Sequence, residues 1–269
     1  MNKLPCAVLG ATGAVGQRFI QLLENHPWFE VTEVCASEKS AGRSYAEAVQ
    51  GRWKLSTSIP EAVAGLTVRE CRPEEVKGRI AFSGLDAGVA GPIEEAFARA
   101  GFAVVSNSRN HRMDADVPLL VPEVNPDHLE AVKRQKYGRM GFIVTDPNCS
   151  VIGMVMALAP LHKEWGVEKV SVVTMQALSG AGYPGVPSLD ILDNVLPYIA
   201  GEEEKMEAEP LKILGGYQAG AFTQAEMTVS ASCNRVAVID GHLESVSFTL
   251  RKKAGAKEIK EAWRSFRPL

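Results

Sequence analysis

Cys149 stands where a chain can make a sulfur nucleophile. The run Thr145-Asp146-Pro147-Asn148-Cys149-Ser150 separates a short apolar strand pattern, Gly141-Phe142-Ile143-Val144, from an apolar helical pattern that begins at Val151 and meets no charge until Lys163. Pro147 and Asn148 mark the turn. A cysteine at that boundary lies beside the first free N–H groups of a helix, whose positive end favours thiolate over thiol. The competing reading is a small core residue, since free cysteine is among the most buried types. Two stretches downstream could serve such a nucleophile. Arg235-Val236-Ala237-Val238-Ile239-Asp240-Gly241-His242 puts an arginine and a histidine near neighbouring strand ends, separated by a glycine-containing turn. A lone histidine is more often structural, but the nearby arginine and the distant cysteine raise its standing. In Gly201-Glu202-Glu203-Glu204-Lys205-Met206-Glu207, Glu202 and Lys205 share a helix face, although most such charge runs are solvated surface.

The elements upstream read as a nucleotide fold. Leu4 to Leu9 is an apolar strand candidate that runs into Gly10-Ala11-Thr12-Gly13-Ala14-Val15-Gly16, after which Phe19, Ile20, Leu22 and Leu23 continue with helical spacing. The glycines permit a tight turn, close approach of the backbone to a pyrophosphate, and close helix–strand packing. Alone this is a weak signal that a structural turn would also give; its place between a first strand and a first helix points to a dinucleotide. A second strand, Val31 to Ala36, ends in Ser37-Glu38-Lys39-Ser40-Ala41-Gly42-Arg43. Hydroxyls at Ser37 and Ser40 with Lys39 and Arg43 suit a 2′-phosphate, whereas Glu38 speaks for a bare ribose, so NADP is favoured over NAD. A solvated polar loop is the third reading. Arg79 to Leu85 is a further strand, with the small-residue loop from Ser83 through Leu85 to Gly88 at its carboxyl end. Gly91 to Ala100 reads as helix and Phe102 to Ser106 as strand, followed by Asn107-Ser108-Arg109-Asn110-His111-Arg112-Met113, which could hold an anion or merely scatter surface charge. Leu119-Leu120-Val121 and an amphipathic segment from Asp127 to Lys136 lead to the strand before Cys149. This alternation predicts an α/β fold with a doubly wound parallel Rossmann-type sheet.

Beyond the first apolar helix the texture changes. Val167 to Leu178 is β-rich, Ser179-Gly180-Ala181-Gly182-Tyr183-Pro184-Gly185 is a glycine-rich loop, and Ser188 to Ile199 reads as a helix. Thr228 to Val238 and Leu243 to Leu250 alternate as long strands. A second α+β domain with a mostly antiparallel sheet is expected, which divides the chain into 1–149 and 150–269. The 269 residues suit two domains, and 46% hydrophobic with 23% charged residues allows a sizeable core. A net charge of −3 offers no basic surface to nucleic acid, so an anionic ligand must meet locally placed cations. No apolar run approaches the ~18 residues a bilayer span needs, and Met1-Asn2-Lys3 enters a strand rather than a signal peptide. Five widely spaced cysteines without a CxxC pair argue against a disulfide frame or a zinc site and fit a reducing cytoplasm.

Five motifs in order carry a resemblance: Gly10 to Gly16, Asn110-His111-Arg112-Met113, Asp146-Pro147-Asn148-Cys149-Ser150, Gln176-Ala177-Leu178-Ser179-Gly180-Ala181-Gly182, and Arg235 to His242. Together they resemble the aspartate-semialdehyde dehydrogenase family, its archaeal and fungal branch more closely than the common bacterial one, over essentially the whole chain. The resemblance implies NADPH-dependent reduction of L-aspartyl 4-phosphate to L-aspartate 4-semialdehyde and phosphate, toward lysine, threonine and methionine. It implies Cys149 as the nucleophile that forms an acyl thioester and Gln176 as the residue orienting the acyl group. His242 is implied as the acid/base that takes the thiol proton and later protonates the reduced oxygen. Arg235 would hold the substrate α-carboxylate and Glu202 its α-ammonium, while Arg112 and Lys205 would bind phosphate with Asn110 beside them. Gly10, Thr12, Gly13, Ala14, Val15, Gly16, Ser37, Ser40, Arg43, Ser83, Leu85, Ser179 and Gly180 are the expected cofactor contacts. Small-molecule partners, a homodimer or homotetramer, and no metal, nucleic acid or membrane are expected. Family members continue for some tens of residues past the point matching Leu269, so a C-terminally incomplete second domain is expected. The alternatives are a malonyl-CoA-type acyl-CoA reductase and a non-catalytic NADP-binding sensor.

Overall fold

A computed structural model describes residues 3–138 and 140–267. The opening Met1-Asn2 and the closing Pro268-Leu269, on which expectations about the two ends rest in part, lie outside the described residues. The chain forms two compact units, one of residues 1–118 and 132–146, the other of residues 119–131 and 147–269.

The first unit follows the predicted alternation: β1 (Leu4–Leu9), α1 (Ala14–Leu23), β2 (Phe29–Ala36), the one-turn helices α2 (Tyr45–Ala48) and α3 (Glu61–Ala64), β3 (Val68–Glu70), β4 (Ile80–Ser83), α4 (Ala87–Arg99), β5 (Ala103–Ser106) and β6 (Phe142–Thr145). All pairings in its six-stranded sheet are parallel, in the order β3-β2-β1-β4-β5-β6. Parallel strands are covered on both faces, and side chains of β1 accordingly divide between two cores: Cys6 and Val8 pack with Ile20, Val34 and Tyr45, while Ala7 and Leu9 pack with Phe97, Val104 and Ile143. The chain reverses direction around the sheet between β1 and β4, the place where such folds bind ligands.

The second unit contains α5 (Cys149–Trp165), β7 (Val167–Gln176), α6 (Ser188–Ile191), β8 (Leu196–Pro197), α7 (Glu202–Ile213), the small hairpin β9 (Gly216–Gln218) and β10 (Ala221–Thr223), β11 (Thr228–Arg235), β12 (Leu243–Leu250) and α8 (Ala256–Ser265). Its main sheet has the order β12-β7-β11-β8. β7 runs parallel to β11, and the other two pairings are antiparallel. Strict alternation along β7 buries Val170, Val172, Thr174 and Gln176 on one face, where Met154, Leu158, Met206 and Cys233 meet them in a common core.

Three expectations change. The segment 119–131 belongs to the second unit rather than the first: Leu119 and Val121 bury with Val151 and Val155 of α5, and Asn125 locks the segment by donating to the Leu119 carbonyl (2.9 Å) and accepting from the Val121 N–H (2.8 Å). The helix expected over 188–199 stops after one turn, because Asp193 takes a left-handed φ of 56° and the chain then joins the sheet as β8. The strands bearing Arg235 and His242 are not neighbours, since β7 lies between them. Among the described residues no helix is long and apolar enough to cross a membrane.

Candidate active site

α5 starts at Cys149, as the local pattern predicts. Asn148 caps it: its side-chain oxygen accepts the Ser150 N–H at 3.0 Å, and its own backbone N–H donates to Glu209 at 2.7 Å. Glu209, buried on α7, holds the turn from below and escaped sequence reading. The only local sign was an acid in a helical turn otherwise facing the core.

The Cys149 sulfur lies 3.1 Å from Nε2 of His242. The other ring nitrogen, Nδ1, accepts the Ala177 main-chain N–H at 3.0 Å. A nitrogen that accepts carries no proton, so the neutral ring bears its hydrogen on Nε2 and presents it to the sulfur. At rest the ring thus presents its Nε2 hydrogen to Cys149. Although Cys149 is exposed as a residue, crowding around its sulfur pushes the thiol pKa up, and the Glu202 carboxylate pushes the same way. The N–H groups of Ser150 and Cys149 pull it down without prevailing. Position at a helix N-terminus thus does not by itself make the resting sulfur a thiolate. Burial, then the Arg235 guanidinium, lower the His242 pKa, which keeps the ring neutral at pH 7.

Around this pair the sheet and α7 gather polar groups. Register places Gln176 opposite Arg235, at the carboxyl ends of parallel β7 and β11. Arg235, almost fully buried, donates to the Ala177 carbonyl at 2.7 Å, so one residue braces both the histidine and the arginine. Gly180 leaves the room for this: a Cβ there would lie 2.9 Å from Arg235 Nη1 and 3.3 Å from His242 Cε1. Glu202 accepts from Lys205 at 2.5 Å, from the Asn148 side chain at 2.7 Å and from Gln176 at 3.4 Å. Burial would raise its pKa, but Lys205 and these donors more than offset it and hold the carboxyl below its usual range. Cys149, His242, Gln176, Arg235, Glu202 and Lys205, spread over nearly a hundred residues of sequence, meet in one unit. The rest of the acidic run is not plain solvated surface either. Glu203 and Glu207 accept the Cys233 and Ala231 N–H groups of β11.

In the first unit, the glycine turn forms the cradle its spacing suggests. Gly10 adopts φ +74°, where a Cβ would lie 2.7 Å from the Gly84 carbonyl; at Gly16 a Cβ would fall 2.2 Å from the Gly10 carbonyl. Gly13 caps α1 with no side-chain hydrogen bond, which leaves the helix N–H groups for a phosphate. Ser37 and Leu85 line a cavity of about 390 Å³ at the ends of β2 and β3, together with Lys39, Arg72 and Val89. This cradle and cavity fit the pyrophosphate and adenosine parts of a dinucleotide. Ser40, Ser83 and Arg43 do not line that cavity. Ser40 is buried, and the Ser83 hydroxyl donates to Glu94 at 2.5 Å. Glu94, fully buried, also takes the Ser106 hydroxyl at 2.6 Å and so ties the ends of β4 and β5 together; sequence reading missed it. Asn110 donates to the Ala87 carbonyl at 2.9 Å, and the buried Arg112 donates to the Asn107 carbonyl at 3.1 Å.

Comparison with known proteins gives a consistent result. Residues 5–132 match the family model "Semialdehyde dehydrogenase, NAD binding domain", and residues 158–268 match "Semialdehyde dehydrogenase, dimerisation domain". The chain is 49% identical over 264 residues to an aspartate-semialdehyde dehydrogenase of Archaeoglobus fulgidus, with 97% of this chain and 76% of that protein covered. It is 48% identical over 274 residues to one of Aspergillus fumigatus, with 98% and 76% covered. The crystal structure of aspartate semialdehyde dehydrogenase with NADP from Candida albicans superposes with a TM-score of 0.91 at 44% identity, covering 98% of this chain and 77% of that one.

Proposed function

The chain belongs to the aspartate-semialdehyde dehydrogenase family, and from that premise we propose that it reduces L-aspartyl 4-phosphate with NADPH to L-aspartate 4-semialdehyde and phosphate through an acyl thioester on Cys149. The observation that carries the mechanism is the 3.1 Å approach of the Cys149 sulfur to His242 at the start of α5, beside Arg235 and Glu202. Arg235 takes the substrate α-carboxylate, for which a guanidinium is the best-matched partner. Glu202, held ionised by Lys205, takes the α-ammonium. That charged acceptor favours an amino-acid substrate over an acyl-CoA, which needs no such group. Lys205 supplies a cation for phosphate.

The thiol proton leaves first, and because the Nε2 hydrogen of His242 already points at sulfur, the ring stabilises the thiolate as a donor while solvent accepts the proton. The thiolate forms a bond to the acyl carbon, the carbon–oxygen bond to phosphate breaks, and a thioester remains. NADPH, when bound, supplies the hydride that reduces this thioester. The resulting oxyanion is met by the His242 N–H and the amide of Gln176; its collapse expels the Cys149 thiolate and frees the aldehyde. Gly10, Gly13 and Gly16 hold the cofactor's pyrophosphate, and Ser179 and Gly180 are further cofactor contacts.

All five cysteines are free thiols, which supports a reducing cytoplasm as the site of action. The match to a dimerisation domain supports assembly as a homodimer or homotetramer. The reaction is tested in reverse: aspartate semialdehyde with phosphate should reduce NADP and raise absorbance at the NADPH band, and Cys149→Ala should abolish the signal. Normal turnover by that variant would overturn the mechanism, and NADP binding without turnover by the unaltered chain would favour a sensor.

A further inference from the structure

The cavity at the ends of β2 and β3 contains a cation that sequence reading passed over. Ala36 pairs with Glu70 in the parallel sheet, so the residues just past β3 emerge beside those just past β2, on the edge where α/β sheets bind ligands. Arg72 is one of them. Its N–H donates to the Glu70 carbonyl at 2.8 Å, and this turn brings its side chain to the cavity wall with Ser37 and Lys39. Leu85 and Val89 give the cavity an apolar side that suits an adenine ring. Arg43, the cation expected from sequence, is placed elsewhere: its carbonyl accepts the Val68 N–H at 2.8 Å. It therefore lies beside the first residue of β3, whereas Arg72 lies past the last.

We infer that Arg72, with Ser37 and Lys39, holds the 2′-phosphate that distinguishes NADP from NAD, and that Arg43 takes no part. The inference rests on the reading of this chain as an NADP enzyme. The cavity also presents Glu38 and Glu70, so its lining charges balance before a ligand arrives. Arg72 Nη2 then sits 2.8 Å from Glu70, in a pair whose arginine side chain is 58% exposed. An ion pair this wet contributes little and exchanges readily, whereas a phosphate engages the planar guanidinium through two hydrogen bonds. Glu70 holds Arg72 at the rim until the stronger acceptor replaces it. Glu38 and Lys39 stay opposite each other in charge, so the preference for the phosphate depends on Arg72.

Calorimetric titration of the intact chain with 2′,5′-ADP and with 5′-AMP isolates this contact from turnover. The unaltered chain should prefer 2′,5′-ADP. Arg72→Met should weaken 2′,5′-ADP about 10- to 100-fold and leave 5′-AMP unchanged, the range expected for a lost charge-assisted bond. Arg43→Met should alter neither. Discrimination kept by Arg72→Met, or lost in Arg43→Met, overturns the inference alone. An unaltered chain that binds both nucleotides equally overturns the NADP reading and the inference with it.

Discussion

The main-chain N–H of Ala177 points at Nδ1 of His242 from 3.0 Å, and this single hydrogen bond settles which nitrogen faces Cys149 with a proton. A glutamine at 242 keeps an N–H donor and has no basic nitrogen. His242→Ala should lower kcat by roughly 10²- to 10³-fold, the usual worth of a donor aimed at developing negative charge, and His242→Gln should recover part of that loss. Equal losses in steady-state assays of the two variants would remove the donor role.

After burial, the Glu202 carboxylate is the next cause that raises the Cys149 pKa. The thiolate fraction grows with pH up to the thiol's pKa, so lowering that pKa enlarges the fraction at any pH below it. Glu202→Gln should therefore alkylate faster at Cys149 with iodoacetamide at pH 8, followed by peptide mass spectrometry, even as KM for the semialdehyde rises. An unchanged alkylation rate would show that Glu202 does not govern the thiol.

Gly180 lies against both Arg235 and His242. Gly180→Ala should raise KM for the semialdehyde and lower kcat, each by about tenfold, because small displacements at a reacting centre are costly. Thermal stability should fall by no more than about 1–3 kcal/mol, the ordinary range for one added methyl in a packed site. Kinetics indistinguishable from the unaltered chain would mean that the loop yields without moving Arg235 or His242.

Glu244, on β12 two residues past His242, is half-buried with its carboxyl pKa pushed up to about 7 from 4.5 by loss of water. The folded chain thus binds this proton more tightly than the unfolded chain, and stability attributable to the residue falls as pH rises from the unfolded value through the folded one. Glu244→Gln should raise the melting temperature at pH 8, by the equivalent of about 1–2 kcal/mol after allowance for partial exposure, and leave it nearly unchanged at pH 4. An equal change at both pH values would point to packing rather than ionisation.

Local physics made much of this protein readable from its residues. A strand-turn-helix with glycines at three positions has few other uses, and an apolar helix entered through Pro147 and Asn148 puts Cys149 at its first turn wherever the rest of the chain goes. Residues joined only by distant pairing were harder to read. The insertion of β7 between β11 and β12, the buried acids Glu94 and Glu209, and the second-unit allegiance of 119–131 each depend on partners outside the local turn or strand. No local periodicity records which core will take Leu119, because both units offer apolar surface.

The sequence by itself determined the nucleotide turn, the capped cysteine, and the supply of Arg235, Glu202, Lys205 and His242 from which a site could be made. Tertiary structure decided what those groups are in the folded chain. It set the tautomer of His242 through Ala177, the charge of Glu202 through Lys205, and the crowding that keeps Cys149 a thiol at rest. The physical reason is that residue type sets what a group can do, while protonation depends on water excluded and on charges brought near, and only packing supplies those.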